Sequence, residues 1–306
     1  EKLQVHQLPK DRLEDPTVPC AHAETTTFRS LTCYALWACQ ARLDDFFNVI
    51  SLQTKLNTPL ILDIVAINDV IKRLRRTIHK LGIYFWKLIR PFRVISVSDA
   101  SSANEASNFA TAGIIIALGE DRLHSISCDS SDYITPLLSK LIGGKFHILF
   151  ATSQTSTRNS HSPSHSECLA AAKGIPLAQL VAMRLAEPEL VSTFNVSAPL
   201  RLLEAQDNVQ CPIPVDAYID CMDLWELCCS LRGMPQDKSQ RLGVLAIREE
   251  RRTLRLRRLF HMRAQHMSAD MLTNIVGADS NSLLELISSG QWTISDEARV
   301  LSLIHI

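Results

Sequence analysis

The sequence predicts an α/β protein with a mixed sheet, and three observations predict it. Three apolar, strand-like runs follow one another closely: RVISVSD (93–99), TAGIIIALG (111–119) and KFHILFATS (145–153). A long helical pattern, SECLAAAKGIPLAQLVAMRLAE (166–187), comes directly after them. Beyond it, short strands alternate with helices. A run of strands followed by alternating elements gives a sheet with both parallel and antiparallel pairs.

The elements read in order as follows. Residues 1–24 are polar, carry Pro9, Pro16 and Pro19, and read as a loose lead-in. TTTFRSLTCYALWACQARLDD (25–45) is helical. Leu60, Ile64, Ile67, Ile71, Leu74 and Ile78 recur every three or four residues, an amphipathic stripe that starts at Pro59. Its other face carries Lys72, Arg73, Arg75, Arg76 and Lys80. After the three strands, STRNSHSPSHS is a polar loop and 166–187 a helix bent at Pro176. DAYID (216–220) is a strand, CMDLWELCCSL a helix behind it with Leu224, Trp225 and Leu227 in the core, and SQRLGVLAIREERR (239–252) another helix. TLRLRRLFHM (253–262) alternates Leu and Arg and reads as a strand with one basic face. HMSADMLTNIVG and SNSLLELISSG read as two further helices. The segment 121–144 is longer than a hairpin needs.

Bulk properties narrow the function classes. The chain has 306 residues, a prior for two domains, with 46% hydrophobic and 21% charged residues and a formal net charge of zero. There is no global pull toward nucleic acid or an anionic membrane, so such binding would be local. Nine cysteines without a CxxC spacing fit free thiols in a reducing compartment rather than a disulfide or zinc framework. The longest apolar run, AGIIIALG, is too short to span a bilayer, and no membrane partner is expected. The chain opens at Glu1, as a piece of a longer protein would.

Four acids stand out by position. Asp99 ends the first strand, Glu167 opens the long helix, Asp220 ends DAYID and Asp270 lies in the first turn of SADMLT. Strand ends in an α/β sheet face one crevice, where ligands bind. Four carboxylates gathered there need a compensating charge, and hard oxygen ligands suit Mg²⁺ or Mn²⁺. Taken singly, Glu167 and Asp270 also fit helix-dipole acids and Asp99 and Asp220 fit turn caps.

The same segments resemble the RNase H domain of copia-type LTR retrotransposon polyproteins. The matching stretches are VSDASSANE with FATAGIIIAL, GGKFHILFATSQTSTRNSHSPSHSECLAA, YIDCMDLWEL, PQDKSQRLGVLAIREE, FHMRAQHMSADMLTNIV and the tail LLELISSGQW. Upstream, FRSLTCYALWACQARLDD and DIVAINDVIKRLRRTIHKLGIYF resemble the end of the reverse transcriptase, its thumb or connection. The resemblance covers nearly all of 25–292. It implies an RNase H-like mixed five-stranded sheet flanked by helices (91–277), a thumb- or connection-like helical region before it (1–90) and a helical tail (278–306).

The function it implies is an endonuclease that hydrolyses the RNA strand of an RNA–DNA hybrid with two Mg²⁺, Mn²⁺ being the alternative ion. Asp99 would bridge both ions, Glu167 and Asp220 would complete the two coordination sets, and Asp270 would hold the more weakly bound ion. Arg158, Lys238 and Arg241 are the candidate hybrid-binding residues, with Arg255 and Arg257 on the basic strand and Lys72 to Lys80 along the upstream helix. The remaining polyprotein is the implied partner, and a cytoplasmic virus-like particle and the nucleus are the implied locations. His261 and His266 precede Asp270 at spacings that read as surface or strand histidines.

The chain also departs from the family. Cys33 and Leu43 stand where a glycine and a proline are usual, and Asn274 where the last signature has lysine. The paired aspartates of a polymerase site are absent, Asp44 and Asp45 lying in the thumb-like region. These departures keep a second reading open: an inactive relic or a non-enzymatic hybrid-binding module. A transposase or integrase is disfavoured by the SADMLT signature.

Overall fold

The structure, a computed structural model, describes residues 4–77, 79–80, 82–101, 110–124, 142–156, 162–194, 211–273 and 281–294. Ile78, Arg158, Asn274 and 125–141 of the long 121–144 segment lie outside the described residues.

Four helices come first: α1 (Lys10–Glu14), α2 (His22–Cys39), α3 (Phe46–Gln53) and α4 (Ile61–Arg76). The sheet is built from β1 (Phe92–Ser101), β2 (Thr111–Glu120), β3 (Gly144–Thr155), β4 (Val215–Ile219), β5 (Arg258–His261) and β6 (Gln291–Trp292). Helices α5 (Pro163–Phe194), α6 (Met222–Cys228), α7 (Lys238–Arg252) and α8 (Asn281–Ser289) lie between or after these strands. The strand order is β5-β4-β1-β2-β3-β6. β1, β2 and β3 form an antiparallel meander, while β4 joins β1 and β5 joins β4 in parallel. This is the mixed α/β sheet that the sequence predicts.

Both faces of the sheet are covered, which is why AGIII reads as an unbroken apolar run. Val94, Ile114, Ile116, Val215, Ala217 and Ile219 point to one side, against the apolar side of α5. That side is mostly alanine (Ala171, Ala178, Ala182, Ala186), so α5 lies close to the sheet. At the closest approach, a Cβ on Gly174 would sit 2.6 Å from Ser96 Oγ. Ile95, Val97, Ile115, Ala117 and Tyr218 point to the other side. There they share one core with Phe28 and Leu31 of α2, Ile64, Ile67 and Ile71 of α4, and Leu283 and Ile287 of α8. Each fully buried isoleucine contributes about 1.5–3 kcal/mol through its removal from water.

Side chains that answer orphan N–H groups set the helix starts. The Ala21 N–H donates to Glu24 Oε2 (2.7 Å), the Leu60 N–H to Asp63 Oδ2 (2.8 Å) and the Gln240 N–H to Asp237 Oδ1 (2.8 Å). The helix expected at 166–187 runs longer at both ends and continues through Pro176.

Four expectations are corrected. The sheet has six strands, not five: Gln291–Trp292 pairs with Gly144–Lys145, pinned by Trp292, whose Nε1 donates to His266 O (3.2 Å) and Ser282 Oγ (3.1 Å). TLRLRRLFHM is a strand only over Arg258–His261, because α7 runs to Arg252 and the chain then turns through Leu254, whose φ is 60°. Around SADMLT, the described chain forms short 3₁₀ turns, Ala264–His266 and Asp270–Leu272, in place of an α-helix. Arg257, expected on an exposed basic face, is instead turned inward. It pairs with Asp121 (2.7 Å) and Asp216 (2.6 Å).

The same charge network holds the described residues Asp121 and Ile142 at either end of the segment after β2. Asp121 binds Arg257, and the carbonyl of Ile142 accepts from Arg93, itself wholly buried beside Asp216 and Tyr218.

Candidate metal centre

The parallel pairing of β1 with β4 brings two of the acids level. Val97 lies opposite Tyr218, so Asp99 and Asp220 each stand two residues further along, at the same end of the sheet. Asp99 falls inside β1 rather than at its last residue, and Asp220 one residue beyond β4. α5 crosses the same face at its start and delivers Glu167 to them. Glu167 Oε1 accepts the Ala100 N–H at 2.9 Å. One carboxylate oxygen from each of Asp99, Glu167 and Asp220 lies within 4.8 Å of the other two.

The three groups carry an uncompensated charge. Asp99 is 5% exposed and Glu167 6%, and no lysine or arginine pairs with any of the three among the described residues. Burial raises the Asp99 carboxyl above the usual range, against the hydrogen bond from Thr273. Burial, then the charges of Asp99 and Asp220, put Glu167 well above its usual range. Burial, then the Asp99 charge, pushes Asp220 up to about 7. Glu167 Oε2 is buried and has no hydrogen-bond partner. Three converging carboxylates with one orphaned oxygen fit a hard divalent cation such as Mg²⁺ or Mn²⁺.

Asp270 stands outside this close trio. It is half-buried on the 3₁₀ turn that follows β5, and its charge acts on both Asp99 and Asp220. The turn is tied to the trio by Thr273, whose hydroxyl donates to Asp99 Oδ2. Gly113, opposite Asp99 on β2, makes room for this turn. A Cβ there would lie 2.8 Å from Ala269 O and 2.9 Å from Thr273 Cγ2. Gly113→Ala is therefore expected to displace the turn, lower stability by about 1–3 kcal/mol and weaken Mg²⁺ binding. Thermal unfolding with and without Mg²⁺ measures both effects.

The other residues singled out in the sequence are placed as follows. Lys238 and Arg241 are exposed at the start of α7, Arg241 Nε donating to Pro235 O (3.0 Å). α7 is joined to the start of α5 by Gln240 Nε2, which donates to Ser164 Oγ at 2.9 Å, three residues before Glu167. Arg255 pairs with Glu250 (3.0 Å). His261 Nε2 faces the Asp220 carbonyl at 2.9 Å, so that nitrogen carries the proton, and burial lowers the pKa of the ring. His266 is buried and its carbonyl accepts from Trp292. The sequence reading missed Thr273, Gly113 and the contact of His261 with Asp220. Only the threonine inside SADMLT offered a signal, as a hydroxyl three residues after an acid.

No protein-family profile and no curated protein matches the chain. Two solved structures are similar to it. One is RNase H1 from the halophilic archaeon Halobacterium salinarum NRC-1, 14% identical, matched over 60% of this chain and 95% of that one, with a TM-score of 0.33. The other is LC11-RNase H1, isolated from compost by a metagenomic approach, 12% identical over 62% of this chain and 98% of that one, with a TM-score of 0.35.

Proposed function

We propose that this chain is an RNase H-type endonuclease that cleaves the RNA strand of RNA–DNA hybrids. The observation that supports it most is the buried trio Asp99, Glu167 and Asp220, with ligand oxygens within 4.8 Å of one another and, among the described residues, no cationic side chain paired with them. Two Mg²⁺ held by these carboxylates would supply positive charge to the attacking water and to the departing 3′ oxygen.

The chain's own residues do the positioning. Asp99, whose carboxylate lies within 4.8 Å of both other acids, would be the ligand shared by the two ions. Glu167 is fixed through Oε1 on the Ala100 N–H and offers Oε2. Asp220 is held by the end of β4, with the His261 ring against its carbonyl. Asp270, whose charge acts on Asp99 and Asp220, would help hold the outer ion. Thr273 keeps the Asp99 carboxylate in one rotamer. Lys238 and Arg241, exposed at the start of α7, which Gln240 ties to the start of α5, would bind the backbone of the hybrid, recognising duplex shape rather than base sequence.

In its wider setting, we read the chain as the end of a copia-type retrotransposon reverse transcriptase joined to its RNase H domain. The helices before residue 90 stand for the thumb or connection, acting within a cytoplasmic particle and in the nucleus. The test is direct. The purified chain is given a hybrid labelled on its RNA strand, in Mg²⁺, in Mn²⁺ and in EDTA. The expected result is a cut RNA strand and an intact DNA strand with either ion, and no cleavage in EDTA. An intact RNA strand under all three conditions, with the hybrid still bound, would make the chain a hybrid-binding module.

A further inference from the structure

Between Asp69 and Asp99 the sequence has eight lysines and arginines and no acid. Four of the eight are engaged: Lys72 with Asp69, Arg73 with Asp45, Arg93 with Asp216, and Arg90 over the Phe92 ring (5.5 Å). Arg75, Arg76, Lys80 and Lys87 have no acidic partner among the described residues and are exposed. They run from the end of α4 into a strap, residues 82–90, that leads to β1.

The strap carries aromatic rings that a buried linker would hide. Phe85 is 69% exposed, Tyr84 47% and Trp86 38%. It is nevertheless fixed in place. The Gly82 N–H reaches Ile287 O (3.4 Å), the Trp86 N–H donates to His147 Nε2 (2.6 Å) and Trp86 Nε1 donates to Ser289 O (2.8 Å). The Ile89 N–H donates to Glu120 Oε1 (3.1 Å). Tyr84 and Trp86 lie within 23° of parallel with centroids 6.4 Å apart, and the Lys145 ammonium sits 4.9 Å from the Trp86 ring. Fixed rings that lie nearly parallel among unpaired cations are a surface for stacking unpaired bases while neutralising their phosphates. A duplex offers its phosphates to such a surface but hides its base faces, so the aromatic component selects a single strand.

We propose that the strap 82–90, with the end of α4, is a binding platform for single-stranded nucleic acid, separate from the carboxylate crevice. His147 is aligned with Leu118 and Val94, and Asp99 lies five residues further along β1. At about 3.3 Å per residue the two sites are roughly 17 Å apart along the strands. The platform therefore cannot touch a phosphate held at Asp99. It takes the unpaired continuation of a strand and acts whether or not the crevice cleaves.

The test is fluorescence anisotropy of labelled 20-nucleotide oligothymidylate and oligouridylate with the full chain in EDTA, so that cleavage plays no part. Binding is expected to weaken about 50-fold between 50 and 200 mM salt, for four phosphates neutralised on a single strand. Phe85→Ala is expected to weaken it roughly 5- to 100-fold, the range of one lost stacking contact, and Lys87→Glu to weaken it and flatten the salt dependence. Both variants should keep the wild-type unfolding midpoint. Three results would overturn the proposal: an unlabelled blunt duplex that competes as well as the single strand, a Phe85→Ala chain that binds as tightly as wild type, or a chain that binds no single strand and instead dimerises through this face.

Discussion

Replacing Asp99 with asparagine is expected to abolish the proposed metal-dependent cleavage of the hybrid and to make the metal-free protein more stable. Asparagine keeps the shape of the side chain and an oxygen to accept the Thr273 hydroxyl, so the β1–Thr273 link survives. What is lost is the central negative charge of the trio. Charge stabilisation by bound ions is worth several kcal/mol to a phosphoryl displacement. At 1.36 kcal/mol per tenfold, the variant is expected to fall by about 10³-fold or more. Undiminished cleavage by Asp99→Asn would remove the carboxylate trio from the reaction.

The stability change has a definite sign. Asp99, Glu167 and Asp220 all titrate above the usual carboxylate range in the folded chain, so folding takes up protons. The cost of burying their charges, with their mutual repulsion added, is absent at low pH, where all are protonated in both states. It grows as pH rises through the ordinary carboxylate range and on to about 7, where Asp220 loses its proton. In EDTA, Asp99→Asn should therefore melt higher than wild type at pH 8 and level with it at low pH. In Mg²⁺ the order narrows or reverses, because only the wild-type site is stabilised by binding. Thermal melts at the two pH values, with and without Mg²⁺, read out both effects.

The second large effect lies at the opposite end of the strands. Asp216→Ala is expected to lower stability by about 3–5 kcal/mol, because removing one partner of a buried ion pair strands the others. Asp216 is wholly buried and accepts from Arg93 Nη1 (3.3 Å), Arg257 Nε (2.9 Å) and Arg257 Nη2 (2.6 Å). Without it, Arg257 keeps the carboxylate of Asp121, while Arg93, fully enclosed against Phe146, loses the carboxylate of Asp216. The loss is a large part of the roughly 5–15 kcal/mol that holds a domain folded. Glu249→Ala, which breaks the exposed pair with Arg252, should leave urea unfolding unchanged. A wild-type midpoint for Asp216→Ala would show that the network contributes nothing to stability.

These two clusters mark how far the sequence could be read. The carboxylate trio was legible because each acid sits beside an apolar run with a clear period. Strand ends and helix starts carry positional information even at separations of tens of residues. The charge network was not legible. Arg257 meets Asp216 and Asp121 across 41 and 136 residues, and nothing local announces either partner. The alternation of Leu and Arg over 253–262 even pointed the other way, toward a solvated face. Similarly, the 3₁₀ turn at Asp270 replaces the expected helix where the chain must thread between Gly113 and the end of β1. That is a close approach set by tertiary packing, which helical periodicity does not report.

The three close carboxylates are contributed by β1, the start of α5 and the end of β4, and the two gaps between them are each spanned by a long stretch of chain. Bringing such remote points together has an entropic cost that only the finished sheet repays. Half-built intermediates, misregistered strands and shortened copies would then hold no weak, partial version of the centre, since no local fragment contains two of its corners. Metal binding at this centre would in that sense be a readout of complete architecture: an all-or-nothing property, conferred by the finished sheet rather than accumulated along the way.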